Sequence, residues 1–249
     1  YAIGVSTLAK KTIVVIGASG TIGSAVSKKL DAQGHRLGLH FVSNSEAIDT
    51  LLKTCCRSSE HRTYSSPLDS LKSVEDTIDR FQKLLGGIDG LALCGGRIPN
   101  KNQNELTPID WTRAFFELSV VPFHLALYFS KRCAPKSRIV SLSSIAVAYG
   151  GSSESRHYAA AKAALENSLI ALARDLQPQE ICINMVRSGF VDSPSQRNNR
   201  SANQIRSRIE KIPFNRPADP AEIAQAFSFL FDSDSTFITG QKITVAGGE

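Results

Sequence analysis

Cysteine is scarce and scattered in this chain of 249 residues. The five cysteines, Cys55, Cys56, Cys94, Cys133 and Cys182, form no CxxC pair. Adjacent Cys55 and Cys56 are poorly placed to bridge each other, and an odd, dispersed set does not make a disulfide scaffold. Such usage suits a reducing compartment, so a cytoplasmic location is expected. Long apolar runs are missing too. The longest, from Leu118 to Phe129, contains Pro122 and His124 and falls well short of the roughly 20 residues a spanning helix needs, so no membrane partner is expected. The opening YAIGVSTLAKK lacks the charged start and long apolar stretch of a secretory signal, and it lacks Met. Residues 1–10 therefore read as an N-terminal extension or tag remnant. With only 10 Pro, 17 Gly and 21% charged residues, a collagen-like or disordered chain is excluded. No His, Cys and Asp stand at metal-ligand spacing, so no metal is expected.

Apolar residues make up 42% of the chain, enough for one sizeable core. No linker or repeat divides it, and residues 11–249 read as a single domain. The formal charge of +6 leaves an anionic partner open, but it is no signature of nucleic-acid binding. Strand-like runs cover Thr12–Ile16, Arg36–Val42, Thr63–Tyr64, Ile88–Leu93, Arg138–Leu142, Ile181–Val186 and Lys242–Val245. Helical spacing covers Ile22–Leu30, Ser45–Lys53, Leu71–Leu85, a long stretch within Pro108–Arg132, Tyr158–Leu176 and Pro220–Asp232. Alternation of this kind predicts an α/β, doubly wound fold, with parallel strands and helices on both faces.

Two constellations carry chemistry. The first strand runs into Gly17-Ala18-Ser19-Gly20-Thr21-Ile22-Gly23. Glycines at such a turn admit positive φ and close backbone approach, and the following helix offers amide N–H groups to a phosphate. The spacing is GxxGxxG rather than GxGxxG, and a plain glycine-rich turn is the competing reading. Further on, Tyr158 and Lys162 stand four residues apart, which puts them on one helix face. A nearby ammonium lowers a phenol's pKa, so such a Tyr can exchange a proton with a carbonyl oxygen. Ser144, 14 residues before Tyr158, follows a strand whose carboxyl end lies where open α/β sheets bind ligands.

Together with IDGLALCGG, RIVSLSS, YAAAK, INMVRSGFVDSP and the tail from Asp219 to Gly248, these motifs resemble the short-chain dehydrogenase/reductase family over nearly the whole chain. The resemblance implies a Rossmann-type, seven-stranded sheet, a nicotinamide cofactor and hydride transfer at a carbonyl carbon. By it, Tyr158 is the general acid/base, Lys162 holds the nicotinamide ribose and lowers the Tyr pKa, and Ser144 orients the carbonyl. Gly17, Ser19, Gly20, Ile22 and Gly23 line the cofactor phosphates. It also implies a homotetramer or homodimer built on the two long helices.

The chain departs from the family pattern in several places. The usual Asn-Asn-Ala-Gly reads Leu93-Cys94-Gly95-Gly96, which keeps the backbone approach and loses both amides. The helical Asn of the proton relay matches Ser119. The family's Pro-Gly reads Ser188-Gly189; Val191 is placed at the cofactor and Ser193 beside its carboxamide. Arg187 replaces a small residue; it either faces the substrate and binds an anionic group, or is solvated or ion-paired. No acid ends the second strand, where Ser43 and Asn44 could donate to a 2′-phosphate, so NADP is expected, with NAD as the alternative. Leu68 and Asp69 are the candidates on the adenine side. A substrate lid is expected at about 193–212. Its Arg197, Arg200, Arg206, Arg208 and Lys211 face one acid, Glu210. They suit a small or carrier-bound anionic carbonyl substrate, or form only a solvated face. Lys131 and Arg132 could extend a docking surface for an acidic carrier. The leading expectation is an NADP-dependent reductase of a 3-oxoacyl thioester or related ketone. A sugar or secondary-alcohol dehydrogenase and a catalytically weak cofactor-binding scaffold are the alternatives. Trp111 is expected to pack at a helix start, Cys94 to fill space near the cofactor, and His157 to lie at the surface.

Overall fold

The first strand shows how the sheet is held. In the computed structural model, which describes residues 10–96, 98–198, 200–232 and 234–249, all five residues of β1 (Thr12–Ile16) are β-branched. Its side chains alternate between two cores. Val14 and Ile16 enter one, with Ile78, Phe81, Phe129 and Leu169; Ile13 and Val15 enter the other, with Val26, Leu30, Phe227 and Phe231. A strand covered on both faces has no use for polar alternation, which is why it reads as an unbroken apolar run.

The chain continues through α1 (Thr21–Ala32), β2 (Arg36–Phe41), α2 (Ser45–Thr54), β3 (Arg62–Ser65), α3 (Leu71–Leu85) and β4 (Gly90–Leu93). Next come α4 (Pro108–Phe115), α5 (Val121–Ser130), β5 (Arg138–Ser144), α6 (Ala146–Tyr149), α7 (Arg156–Asp175) and β6 (Cys182–Ser188). The last elements are α8 (Pro194–Asn198), α9 (Ala202–Ile209), α10 (Pro220–Phe231) and β7 (Lys242–Val245). Seven parallel strands lie in the order β3-β2-β1-β4-β5-β6-β7. The doubly wound sheet is therefore as expected, and its direction of winding reverses between β1 and β4. Helices α3, α5 and α7 supply one core, while α1, α2 and α10 supply the other.

Local signals fix several boundaries. Helix α3 starts on a Ser70–Ser73 capping box and stops at Gly86, which is left-handed at φ 73°. Helix α10 starts on an Asp219–Glu222 capping box with Pro220 in its first turn. The long helix expected within Pro108–Arg132 is not uniform: α4 and α5 are joined by a π-helical turn over Phe116–Val120. Strands β5 and β6 each run two residues beyond their apolar cores, to Ser144 and Ser188. The segment read as an N-terminal extension lies outside the described residues, Lys10 apart. No helix of the described residues is long and apolar enough to cross a membrane.

Gly23 sits where α1 crosses the turn after β1. A Cβ there would stand 2.1 Å from the carbonyl oxygen of Gly17, a backbone atom that cannot yield. Gly23→Ala is therefore expected to cost about 1–3 kcal/mol, or about 2–12 °C of Tm for a chain of this size. Thermal unfolding followed by circular dichroism checks it; an unchanged Tm would mean that α1 does not lie against this turn.

Candidate active site

Three backbone segments meet at the carboxyl ends of β1, β2 and β4. Gly17 has φ 79°, and a Cβ on it would stand 2.7 Å from the Cα of Gly95. The amide of Ala18 donates to the His40 carbonyl (2.8 Å), and that of Cys94 donates to the Ile16 carbonyl (3.0 Å). The turn and Cys94-Gly95-Gly96 thus form one floor of bare backbone. Above it, α1 starts at Gly20 with no side-chain cap and no acid in its first turn. Its first amides have no helical partner and carry the positive end of the helix dipole. Half-buried Ser19 flanks the turn, and Ile22 packs onto the core behind it. This surface, with donors, space and no carboxylate, fits a pyrophosphate.

The flanks are more open. Ser43 and Asn44 are exposed just beyond β2. Asn44 accepts from the amide of Ala47 (3.0 Å) as cap of α2, which leaves its NH2 as a donor. Leu68 packs on the core and Asp69 is exposed, just ahead of α3. His40 is buried at the end of β2, and burial pushes its pKa down to about 4. Its Nε2 lies 3.0 Å from the Ser66 carbonyl.

On the other side of the sheet's reversal point, Ser144 ends β5 and Tyr158 opens α7, with Lys162 one turn on. Ser144 Oγ accepts from the amide of Ala146 (3.2 Å). Ser144 also acts on Tyr158, opposing the rise in its pKa that burial causes, and the Tyr158 side chain packs on Ala114, Leu118 and Ala161. Ser119 is buried next to Leu118, within the π-helical turn; such turns are frequent at functional sites. Lys162 is 3% exposed, and its Nζ donates to the Leu142 carbonyl (2.9 Å). Burial pushes its pKa down to about 8, against Cys94 and Glu166, which raise it.

The Tyr158 pKa is raised, not lowered as expected: burial raises it and Ser144 opposes that, while the Lys162 ammonium donates to the Leu142 carbonyl. The Cys94 thiol is pushed up to about 12 by burial, so it is no thiolate nucleophile. In the sheet register Ser144 pairs with Ser188, whose Oγ donates to the Ser143 carbonyl (3.3 Å). The amide of Gly189 donates to the Val245 carbonyl (2.9 Å), and Val191 forms a bridge with Ala218. The Ser193 hydroxyl accepts from the amide of Gln196 (3.2 Å) at the start of α8.

Sequence reasoning missed Glu166. It is 4% exposed and lies one turn beyond Lys162 on α7. Its carboxylate accepts from Ser143 Oγ (2.6 Å), Arg187 Nε (2.8 Å) and Arg187 Nη2 (2.6 Å). The open choice for Arg187 is thereby settled as an ion pair inside the protein. A charged residue four positions after Lys162, on an otherwise apolar stripe, was the signal available. His157 corrects the reading of a surface neighbour: it is 1% exposed and packs edge-on against half-exposed Trp111, 6.3 Å away. Arg132 is engaged with Asp79 (3.2 Å) and lies over the Tyr128 ring (3.4 Å).

The expected lid contains α8 and α9, and it sorts its basic residues. Arg197 is exposed and paired with Asp192 (2.5 Å), while Arg206 and Lys211 are exposed. Arg200 and Arg208 are half-buried beside the Phe190 ring. The fold also assembles a group that spacing did not show, since Asp31, Cys55 and His61 bring their ligand atoms within 4.8 Å. The Leu37 amide donates to His61 Nδ1 (3.3 Å), so Nε2 carries the proton and donates to Asp31 (2.9 Å). Asp31 also accepts from the amides of Cys56 and Arg57. That is the pattern of a hydrogen-bonded brace.

Known proteins match nearly the whole chain. The family model described as Enoyl-(Acyl carrier protein) reductase matches residues 17–249. The oxidoreductase YmfI of Bacillus subtilis is 30% identical, over 96% of this chain and 98% of its own. The 3-oxoacyl-[acyl-carrier-protein] reductase FabG of Aggregatibacter actinomycetemcomitans is 25% identical, over 96% and 98%. The crystal structure of a short-chain dehydrogenase/reductase from Brucella melitensis, named glucose/ribitol dehydrogenase, superposes with a TM-score of 0.88. It is 28% identical and covers 96% of each chain.

Truncating one member of the buried Glu166 network leaves a carboxylate without its partner. Arg187→Ala is expected to cost about 3–5 kcal/mol, read as a lower midpoint in urea unfolding. A loss below about 1 kcal/mol would place Glu166 in contact with water.

Proposed function

The chain belongs to the short-chain dehydrogenase/reductase family and is an NAD(P)-dependent enzyme; from that premise we propose that it reduces the ketone of a 3-oxoacyl thioester, or a related ketone, with NADPH. The observation that carries the reading is the placement of Ser144 at the end of β5 and Tyr158 on α7, where Ser144 acts on the phenol, with buried Lys162 one turn along the same helix. The similarity to 3-oxoacyl-carrier-protein reductases supports the substrate class.

The bound dinucleotide would supply the hydride. Gly17, Ser19, Gly20, Ile22 and Gly23 would cradle its phosphates, and Cys94, Gly95 and Gly96 would form the floor beneath. Leu68 and Asp69 would flank the adenine, and Ser188, Gly189, Val191 and Ser193 the carboxamide end. Ser144 would hold the substrate oxygen beside Tyr158. Burial keeps the Tyr158 phenol protonated at neutral pH, which suits a group that gives its proton to an oxygen gaining negative charge. Lys162 would hold the ribose hydroxyls with its charge, and Ser119 would bind a water that returns the proton. Ser43 and the Asn44 amide offer donors without a carboxylate beside them, which favours a 2′-phosphate and hence NADPH over NADH.

A second copy of the chain is the partner that the surface supports. Ile109, Trp111, Phe115 and Val120 are exposed along α4 and the π-helical turn. The α7 stripe is different, because Leu165, Leu169 and Leu172 are in the core of this chain.

Steady-state reduction of acetoacetyl-CoA with NADPH tests the reading. Tyr158→Phe is expected to lower kcat by about 10²–10⁴-fold, with NADPH affinity held within a factor of about three. Unchanged turnover in that variant would overturn the assignment of Tyr158. Binding of NADPH without reduction of any ketone or oxidation of any alcohol would point to a cofactor-binding scaffold.

A further inference from the structure

We infer that the lid carries a binding site for an oxyanion borne by the substrate, built from Arg208 and Arg200 around Tyr149. The substrate part of this inference rests on the reductase reading; the site itself rests on the geometry that follows.

Arg208, in the last turn of α9, has one guanidinium nitrogen engaged and one idle. Nη2 donates to Glu249 Oε2 (2.5 Å). Nη1 is buried and makes no hydrogen bond among the described residues. A buried donor without an acceptor costs about 1–3 kcal/mol, more when charged. Such a group marks a place where an acceptor arrives. Arg200 stands beside it. Both guanidinium carbons lie 5.8 Å from the centre of the Phe190 ring, so the two cations share one aromatic wall. Among the described residues no carboxylate is within ion-pair distance of Arg200. Glu154 acts on it only at longer range.

The position of this pair ties it to the reacting carbonyl. Arg208 and Arg200 lower the Tyr149 pKa, which burial raises, and Tyr149 in turn raises that of Tyr158. Tyr149 follows β5, Phe190 follows β6, and Glu249 follows β7. The pair is therefore on the far side of Ser144 and Tyr158 from the glycine turn after β1. An anion there is carried by the substrate rather than by the dinucleotide phosphates. Glu249 also shows what the site accepts: a carboxylate already occupies half of Arg208. Glu249 then competes with the substrate's anion, and removing its charge tightens the site.

Two sources supply such a group, a free carboxylate on an oxo acid or the phosphate of a phosphopantetheine arm. The experiment separates them. kcat/KM is measured with NADPH for acetoacetate, acetoacetyl-CoA and the uncharged ethyl acetoacetate, in the native protein, Arg208→Gln and Glu249→Gln. Arg208→Gln is expected to lower the ratio of the preferred anionic substrate to the neutral ester at least tenfold. Glu249→Gln is expected to raise it. A change confined to acetoacetate identifies the carboxylate, and one confined to the CoA thioester identifies the phosphate. Ratios unchanged in both folded variants would overturn the site and leave the reductase reading intact. If no ketone turns over, saturation-transfer NMR of 3-hydroxybutyrate and of CoA decides. Contact that Arg208→Gln abolishes supports the site while the reductase reading falls, and absent or Arg208-independent contact overturns the site.

Discussion

A lysine ammonium almost out of reach of water holds the centre of this structure together. Lys162 reaches from α7 to the Leu142 carbonyl in β5, and burial brings its pKa down to about 8. A lone cation in that position would be too costly to keep. Glu166, one turn on, raises the pKa of Lys162 while being held by Arg187 from β6 and Ser143 from β5. The charges form a chain that crosses from helix to sheet, and Ser143 precedes Ser144, the residue that acts on Tyr158. The Ser–Tyr pair thus adjoins a set of mutually compensated buried charges.

The second constraint is steric. The floor opposite Tyr158 requires backbone to approach backbone, with Gly17 against Gly95 and Gly23 against Gly17. Neither contact tolerates a side chain. Because the sheet reverses its winding between β1 and β4, the helices that follow these strands lie on opposite faces, and a crevice opens between them. One side of it is bare amide and helix terminus. The other holds a phenol, a hydroxyl and an ammonium. A flat dinucleotide with charged phosphates and a reactive ring fits that division.

Much of this was legible in the sequence. The β-branched run Thr12–Ile16, the capped helix Leu71–Leu85 and the four-residue step from Tyr158 to Lys162 each follow from local periodicity, and the structure keeps them. What escaped depends on partners distant in sequence. Glu166 looks like an ordinary helix-surface acid until Arg187, 21 residues on, is brought across the sheet. His157 looks like a surface neighbour until α4 covers it with Trp111. Spacing places an ammonium on the same helix face as Tyr158 but does not show the burial of the phenol, which raises its pKa. The lid's five basic residues likewise look alike as a sequence. Only the fold pairs Arg197 with Asp192 and half-buries Arg200 and Arg208 beside the Phe190 ring.

The most direct test of this account is NADPH affinity as a function of pH, followed by nicotinamide fluorescence between pH 7 and 9.5. If the charge on buried Lys162 helps to hold the cofactor, affinity is constant below about pH 8 and falls above it, by up to tenfold per pH unit, as the ammonium loses its proton in the free protein. Affinity that stays level to pH 9.5, or no NADPH binding at any pH, would contradict it.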